Sequence, residues 1–309
     1  MSTALAQLDE ANACHDAEPA RAASMLRQID LAQLPVERLP SFAFLLNHVL
    51  GEKLAAWPET LNRQQQLIAL AQPNPALVLW RQLGSAAFVV DADAPLAQAI
   101  DALATASNAT LDRARELVAL SAATYLVPSR KTATEAAQTA LQAMALLSPA
   151  HWPTSSALDA QAAACANNLA NDLLDRPESD LHNAALRAAL ARSAELAHRL
   201  WLVAGTWVHV ERALYTRALA CTALGEPHLA RRHALDGLAV LDAHDGQRSE
   251  SVDRAFLELE RWNACMWLGL ADEAAGALSR AEALAAQFND TGLTEWFEGR
   301  RSRLPGFRG

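Results

Sequence analysis

Nine histidines and one cluster of carboxylates are the residues of this 309-residue chain that invite a chemical role. The histidines are dispersed, at His15, His48, His151, His182, His198, His209, His228, His233 and His244. A helical zinc site of the H-E-x-x-H kind needs two imidazoles on one face, at i and i+4. His228 and His233 are five apart, which turns them about 140° from each other around a helix. The densest polar group is Asp172, Asp175, Glu178, Asp180 and His182. Paired carboxylates with an imidazole are what a divalent metal, or an all-helical metal-dependent hydrolase or prenyl-diphosphate enzyme, would require. No D-D-x-x-D run is present, Pro177 interrupts the group, and Asp180 is placed to cap the next helix, so the group reads as a capped surface loop. Asp242, His244 and Asp245 read as a fraying helix end before Gly246. There is no G-x-S-x-G elbow, no P-loop and no G-x-G-x-x-G turn. Cys14, Cys165, Cys221 and Cys265 are isolated, with no C-x-x-C and no histidine at zinc spacing, and are expected as reduced thiols. The expectation is a protein that is not an enzyme, with no cofactor and no metal.

If no chemistry is built in, a surface must do the work, and composition says what builds that surface. The chain has 69 Ala against 12 Gly, 13 Pro and 17 aromatic residues. Alanine leads the helix propensity scale and strand formers are scarce, so the fold class is all-α. Apolar residues make up 51% of the chain, ample for a core. With 26 basic against 35 acidic side chains the net charge is −9, and an acidic chain without a basic stripe excludes nucleic acid as a partner. Only Lys53 and Lys131 are lysine, the habit of a GC-rich, bacterial-looking genome. Arg300, Arg301, Arg303 and Arg308 read as a solvated tail that complements the preceding helix dipole. The opening MSTALAQLDEANACHD is too polar for a secretory signal. The longest apolar stretch, 111–127, carries Asp112, Arg113, Arg115 and Glu116, so no membrane is expected and a cytoplasmic location is.

Apolar residues recur at i, i+3, i+4 and i+7 nearly throughout, broken by Pro, Gly and Asx/Ser clusters. The breaks predict helices over 3–15, 18–31, 36–53, 58–71, 76–90, 94–107, 110–126, 131–147, 155–174, 180–203, 206–224, 227–243, 249–269 and 271–288, with a short last helix near 293–301. Links such as Gln72-Pro73-Asn74-Pro75 and Gly225-Glu226-Pro227 are short, which forces antiparallel neighbours, in about seven helix hairpins. A shift of 44 residues superposes the last two hairpins: Leu224-Gly225 on Leu268-Gly269, Ala230 on Ala274, Gly237 on Ala281, Arg217 on Arg261 and Cys221 on Cys265. Small residues at such places let helices touch within a hairpin and let the next hairpin dock.

These residues resemble a known family. Trp80-x2-Leu83-Gly84-x2-Ala87, followed by Ala97 and Ala104, is similar to the tetratricopeptide (TPR) signature W-x2-L-G-x2-Y with its later small positions. Residues 223–230 and 267–274 look like the TPR turn and second-helix start, and Asn167-Asn168-Leu169-Ala170-Asn171 looks like the NNLA form of peptide-binding TPR proteins. Tyr125 with Ala136 and Ala143, and Ile68 with Pro73, are weaker echoes. The repeat of 44 is longer than the usual 34. Tyr or Phe is often replaced by Ala or Cys, and the 35–72 hairpin fits poorly. The resemblance implies an α-α superhelix of divergent, long-helix units: a single solenoid over 1–309, with loose repeats in 1–154, the clearest in 155–288, and a cap helix with an Arg-rich tail in 289–309.

In such a solenoid the first helix of each hairpin lines a concave groove. Taking Leu169-Ala170, Arg217-Ala218 and Arg261-Trp262 as equivalent packing pairs places Asn171, Leu219 and Asn263 on that face. Four residues earlier stand Asn167, Tyr215 and Leu259; three later stand Leu174, Thr222 and Met266. The Trp80 helix offers Arg81, Ser85 and Phe88. An Asn amide both donates and accepts, so it can grip the backbone of an extended peptide, and related TPR proteins use Asn there for that purpose. The competing reading is that these asparagines only satisfy neighbouring helices. Trp80 is expected in the core, whereas Trp262 and Trp267, five apart, cannot share one core face. The expected peptide-binding residues are thus Asn167, Asn171, Tyr215, Leu219, Asn263, Met266, Arg81 and Ser85, with a basic or neutral protein or peptide as partner. The alternatives are a ligand-responsive regulatory module acting through a second protein, a helical enzyme around Asp172, Asp175 and His182, and an assembly adaptor using the outer face or the tail. Apolar Leu293, Trp296 and Phe297 near the end leave self-association open.

Overall fold

The computed structural model describes residues 3–145, 156–244 and 250–304; His151, Trp152, Asp245 and Arg308 fall outside them. Among the described residues the chain is all-α, with fifteen α-helices and no strand. No helix among them is long and apolar enough to cross a membrane. The chain divides into two compact units, residues 1–165 and 166–309.

The first unit holds α1 (Ala4–Cys14), α2 (Pro19–Gln28), α3 (Leu39–Leu45), α4 (Trp57–Leu70), α5 (Leu77–Val89), α6 (Asp93–Ser107), α7 (Leu111–Leu126) and α8 (Ala133–Ala145). The predicted single helix over 36–53 is instead a 3-10 turn (Val36–Arg38), then α3, then a π-helical stretch (Leu46–Lys53). α5 packs against α4, α6 and α7, burying Leu79, Trp80, Leu83, Ala86 and Ala87. Neutral polar side chains stitch these helices together. Asn47 donates to the backbone carbonyl and to Oε1 of Gln82 (2.9 and 2.7 Å), Gln64 donates to Asn47 Oδ1 (2.8 Å), and the Tyr125 hydroxyl donates to Gln82 Oε1 (2.8 Å). All four are buried and each makes at least one hydrogen bond, although Gln64 Oε1 finds no partner among the described residues.

α9 (Ala157–Leu174) starts in the first unit and ends in the second, which continues with α10 (Ala184–Ala204), α11 (Trp207–Ala223), α12 (Pro227–His244), α13 (Ser251–Trp267), α14 (Ala271–Ala285) and α15 (Thr291–Arg303). α11 with α12 and α13 with α14 are packed as hairpins, and α12 docks on α13. The two hairpin turns are built alike, 44 residues apart. Gly225 and Gly269 both sit at φ +71°, the left-handed conformation glycine adopts without a Cβ penalty. The amide after each closes on the carbonyl five back, Glu226 N on Cys221 O (2.8 Å) and Leu270 N on Cys265 O (2.9 Å). That is the Schellman closure, which satisfies carbonyls a helix end would otherwise leave bare. Gly237 meets Leu257 of α13, where an added Cβ would come within 2.9 Å of Leu257 Cδ2. Ala281, its counterpart, is fully buried beside Phe256, Leu259 and Phe297.

Two local expectations change. The N-cap of α10 is Asn183, whose Oδ1 accepts from the amides of Ala185 (2.9 Å) and Leu186 (3.1 Å). Asp180 instead lies in a 3-10 turn (Glu178–His182) and accepts from Arg176 Nε at 2.8 Å. At the Arg-rich end Arg300 departs from a solvated tail: α15 buries Phe297 and Arg300 turns inward to a carboxylate, while Arg303 stays exposed in the last turn and Arg308 lies outside the described residues.

Candidate functional site

Helical spacing puts Asn167 and Asn171 of α9 on one face, and Tyr215, Leu219 and Thr222 of α11 on another. Those five line a single groove of about 1630 Å³ in the second unit. Val252, Asp253 and Trp262 of α13 add to it, and Trp296, Arg300, Arg301 and Arg303 of α15 complete it. Thr216, also on the lining, donates to Asn167 Oδ1 at 2.9 Å and so fixes how that amide is presented.

An aromatic ladder underlies one side. Tyr215 stands edge-on to Phe256 (6.2 Å between centroids), Phe256 packs tilted on Trp296 (4.3 Å), and Phe297 closes the cluster at 5.7 Å. Trp296 remains 52% exposed and Trp267 43%, so each offers an aromatic face to whatever enters. Trp262 and Trp267 both line the groove, which resolves how two tryptophans five apart are accommodated.

Ion pairs hold the framework. Arg300 Nε and Nη2 both donate to Glu260 Oε1 (2.9 and 2.8 Å), while Thr222 donates to Glu260 Oε2 (3.0 Å). Glu260 is fully buried, so this triad ties α11, α13 and α15 where the groove is floored. Arg212 meets Asp253 at 3.2 Å on the rim. Behind it, burial and then the nearby Asp253 charge push the Glu211 carboxyl up to about 8, so it carries its proton at neutral pH. Arg187 donates to the Leu224 carbonyl at 2.7 Å, capping the end of α11. Among the described residues Arg303 has no carboxylate partner; it donates to the Gly299 carbonyl at 3.1 Å.

Four of the eight predicted site residues are therefore brought together: Asn167, Asn171, Tyr215 and Leu219. Asn263 is not on this groove. It is 2% exposed and lines a cavity of about 10 Å³ with Thr222, Pro227 and Ala230, its Oδ1 unpartnered. The cause is rotational: α13 shows Trp262 to the groove, one residue and about 100° from the register inferred for α11. Met266 is half-buried and off the lining. Arg81 and Ser85 belong to the first unit. Ser85 is fully buried, donating to Arg81 O (2.9 Å) and able to accept from Ser121 Oγ (2.8 Å) of α7, and Arg81 donates to Cys165 Sγ (3.6 Å). Sequence reasoning passed over Trp296 and Arg300 as groove residues, although their i, i+4 spacing on a predicted helix marks one face.

The carboxylates of the 172–182 cluster do not converge on a metal position. Among the described residues the group that does is His15, Asp16 and His48, in the first unit. Compared with known protein families and with curated proteins, the chain gives no match.

Proposed function

We propose that the second unit holds an extended peptide segment of a protein partner in this groove, as part of a TPR-like scaffold of stacked hairpins that performs no catalysis. The observation that carries the reading is the meeting of Asn167 and Asn171 with Tyr215 and Leu219 along one groove. Asparagine amides suit a peptide backbone, and the tyrosine, leucine and tryptophans supply apolar anchors beside them. The repeated glycine-closed hairpins, 44 residues apart, support the TPR-like assignment. Of the five arginines on the lining, Arg212, Arg300 and Arg301 are already paired with Asp253, Glu260 and Glu282, which leaves Arg187 and Arg303 to meet a ligand's acidic group, so the groove favours a neutral or acidic segment although the chain as a whole is acidic. This reverses the ligand charge that net composition alone suggests.

The test is fluorescence anisotropy with labelled extended peptides bearing one apolar anchor and acidic, neutral or basic flanks. Wild type should bind the acidic-flanked set best. Leu219→Asp should weaken it about tenfold or more, and Arg303→Ala should flatten the preference among flanks, with helicity by circular dichroism unchanged. Absence of saturable binding, or equal binding by Leu219→Asp, rules the reading out.

A further inference from the structure

The turn after α1 meets the π-helical stretch in a small polar cluster that the groove does not involve. Nδ1 of His15 stands 2.6 Å from the Asn12 carbonyl. A carbonyl can only accept, so Nδ1 carries the proton and, in the neutral ring, Nε2 is a bare lone pair. Nδ1 of His48 stands 2.9 Å from Glu52 Oε2, and an ionised carboxylate likewise only accepts. Both imidazoles are thus held in the same tautomer, and both Nε2 atoms face Asp16, at 3.3 Å (His15) and 3.4 Å (His48). Two bare lone pairs aimed at one carboxylate repel, so each contact calls for either a proton on the nitrogen or a cation between the groups.

The spacing fits an ion. Ligands about 2.0–2.1 Å from a tetrahedral zinc stand about 3.4 Å from one another. The ligand atoms of His15, Asp16 and His48 all lie within 4.8 Å of each other. A metal-bound imidazole commonly gives its second N–H to a carboxylate or a backbone carbonyl, and Glu52 and Asn12 occupy those two places. The rings are 5.2 Å apart at 71°, and Phe44 stacks on His48 (5.4 Å, 9°), which restrains its rotation. The His48 side chain is 15% exposed and His15 20%, while Asp16 at 69% leaves a route from solvent. Lys53 lies 3.5 Å from Asp16 and 3.8 Å from Glu52, so it can stay with Glu52 when Asp16 turns to an ion.

We propose that His15 Nε2, His48 Nε2 and Asp16 bind a divalent late first-row metal ion, zinc being the best fit to two imidazoles and a carboxylate, with water in the fourth position. The ion clasps the end of α1 to the π-helical stretch. The full chain, stripped of metal with chelator and dialysed, is titrated with Zn²⁺ by calorimetry at neutral pH, and its thermal midpoint is read with and without the ion. One Zn²⁺ per chain should bind and raise the midpoint. His15→Ala and Asp16→Asn, both at partly exposed positions, should each lower affinity about 100-fold with unchanged helicity, and Glu52→Gln about tenfold. Cys14→Ser and His182→Ala should bind as wild type. Absence of saturable zinc binding, or wild-type affinity in both His15→Ala and Asp16→Asn, overturns the proposal.

Discussion

In the first unit, Asn47, Gln64, Gln82 and Tyr125 meet in the interior as neutral donors and acceptors, from the π-helical stretch, α4, α5 and α7. In the second, Glu258, Glu260 and Glu273 meet arginines reaching from other helices: Arg280 and Arg300 for the first two, Arg231 and Arg261 for the third. The contrast is not absolute, since Arg113 and Asp159 form a buried pair in the first unit. An amide network is directional and nearly indifferent to salt and pH, and it holds one helix register. A guanidinium on a long stem reaches its carboxylate from several backbone positions, and the pair responds to ionic strength and protons. The unit with the open groove is thus the one whose framework is electrostatic.

The largest effect that probes this contrast is Glu260→Ala. It strands Arg300 without its partner and should cost about 3–5 kcal/mol in denaturant unfolding, with hydrogen exchange rising first in α13 and α15. A loss under about 1 kcal/mol would mean the pair behaves as a surface one and would erase the difference between the units. Next is Gln82→Met, which keeps the volume but removes the acceptor used by Asn47 and Tyr125. We expect about 1–3 kcal/mol, unchanged between low and high salt, whereas the exchange protection of α13 in wild type should fall with salt.

A third measurement uses protons. Glu273 is drawn down to about 2, first by its hydrogen bonds from Arg231, with burial opposing and Arg261 assisting. Its stabilisation is complete above the unfolded value near 4.5 and is lost as pH falls toward 2. His233 is pushed down to about 4 by burial and then by Arg217, so its contribution is present above 6.5 and is lost as pH falls toward 4. Glu211, raised to about 8, runs the other way: the folded state keeps a proton the unfolded chain gives up, so stability declines as pH rises from 4.5 toward 8. Protection factors in the second unit should peak in the mildly acidic range. Those of α5, whose buried amide network holds no carboxylate or imidazole, should vary less. Glu211→Gln should flatten the alkaline side and add on the order of 1 kcal/mol at pH 8. A peak that survives this substitution would assign the alkaline loss elsewhere.

The smallest effects concern the turns. Gly225→Ala and Gly269→Ala should each cost about 1 kcal/mol, and by matching amounts, because the turns share φ and closure. Asp91, at φ +54° after α5, is a non-glycine residue in the same conformation. Asp91→Gly should therefore add about 0.5 kcal/mol. Unequal losses at the two glycines would break the likeness of the hairpins.

Helix positions were legible because apolar spacing, Pro, Gly and Asx signals act within a few residues, and the 44-residue shift already pointed to Gly225 and Gly269 as equivalents. What stayed hidden depended on rotation or on distance along the chain. Asn263 was misplaced because a repeat alignment carries register but not the turn of one helix about its axis. Ser85 has the polarity of a groove residue, yet it serves a hydroxyl on α7, which no local pattern announces. The π-helical stretch leaves the apolar spacing of 36–53 looking like ordinary helix. His15 and His48 read as scattered histidines because 33 residues separate them in sequence.

The glycine turns bear on how such a chain could grow. Each closes on carbonyls of its own helix, the first with one added donor, Arg187 of α10 on the Leu224 carbonyl, so the 44-residue block between them ends mainly in hydrogen bonds of its own. Duplication of that block within the gene would append a hairpin already sealed at its turn. Subsequent change would then fall on the helix faces alone, where one further turn of α11-like sequence would lengthen the groove without redesigning its ends.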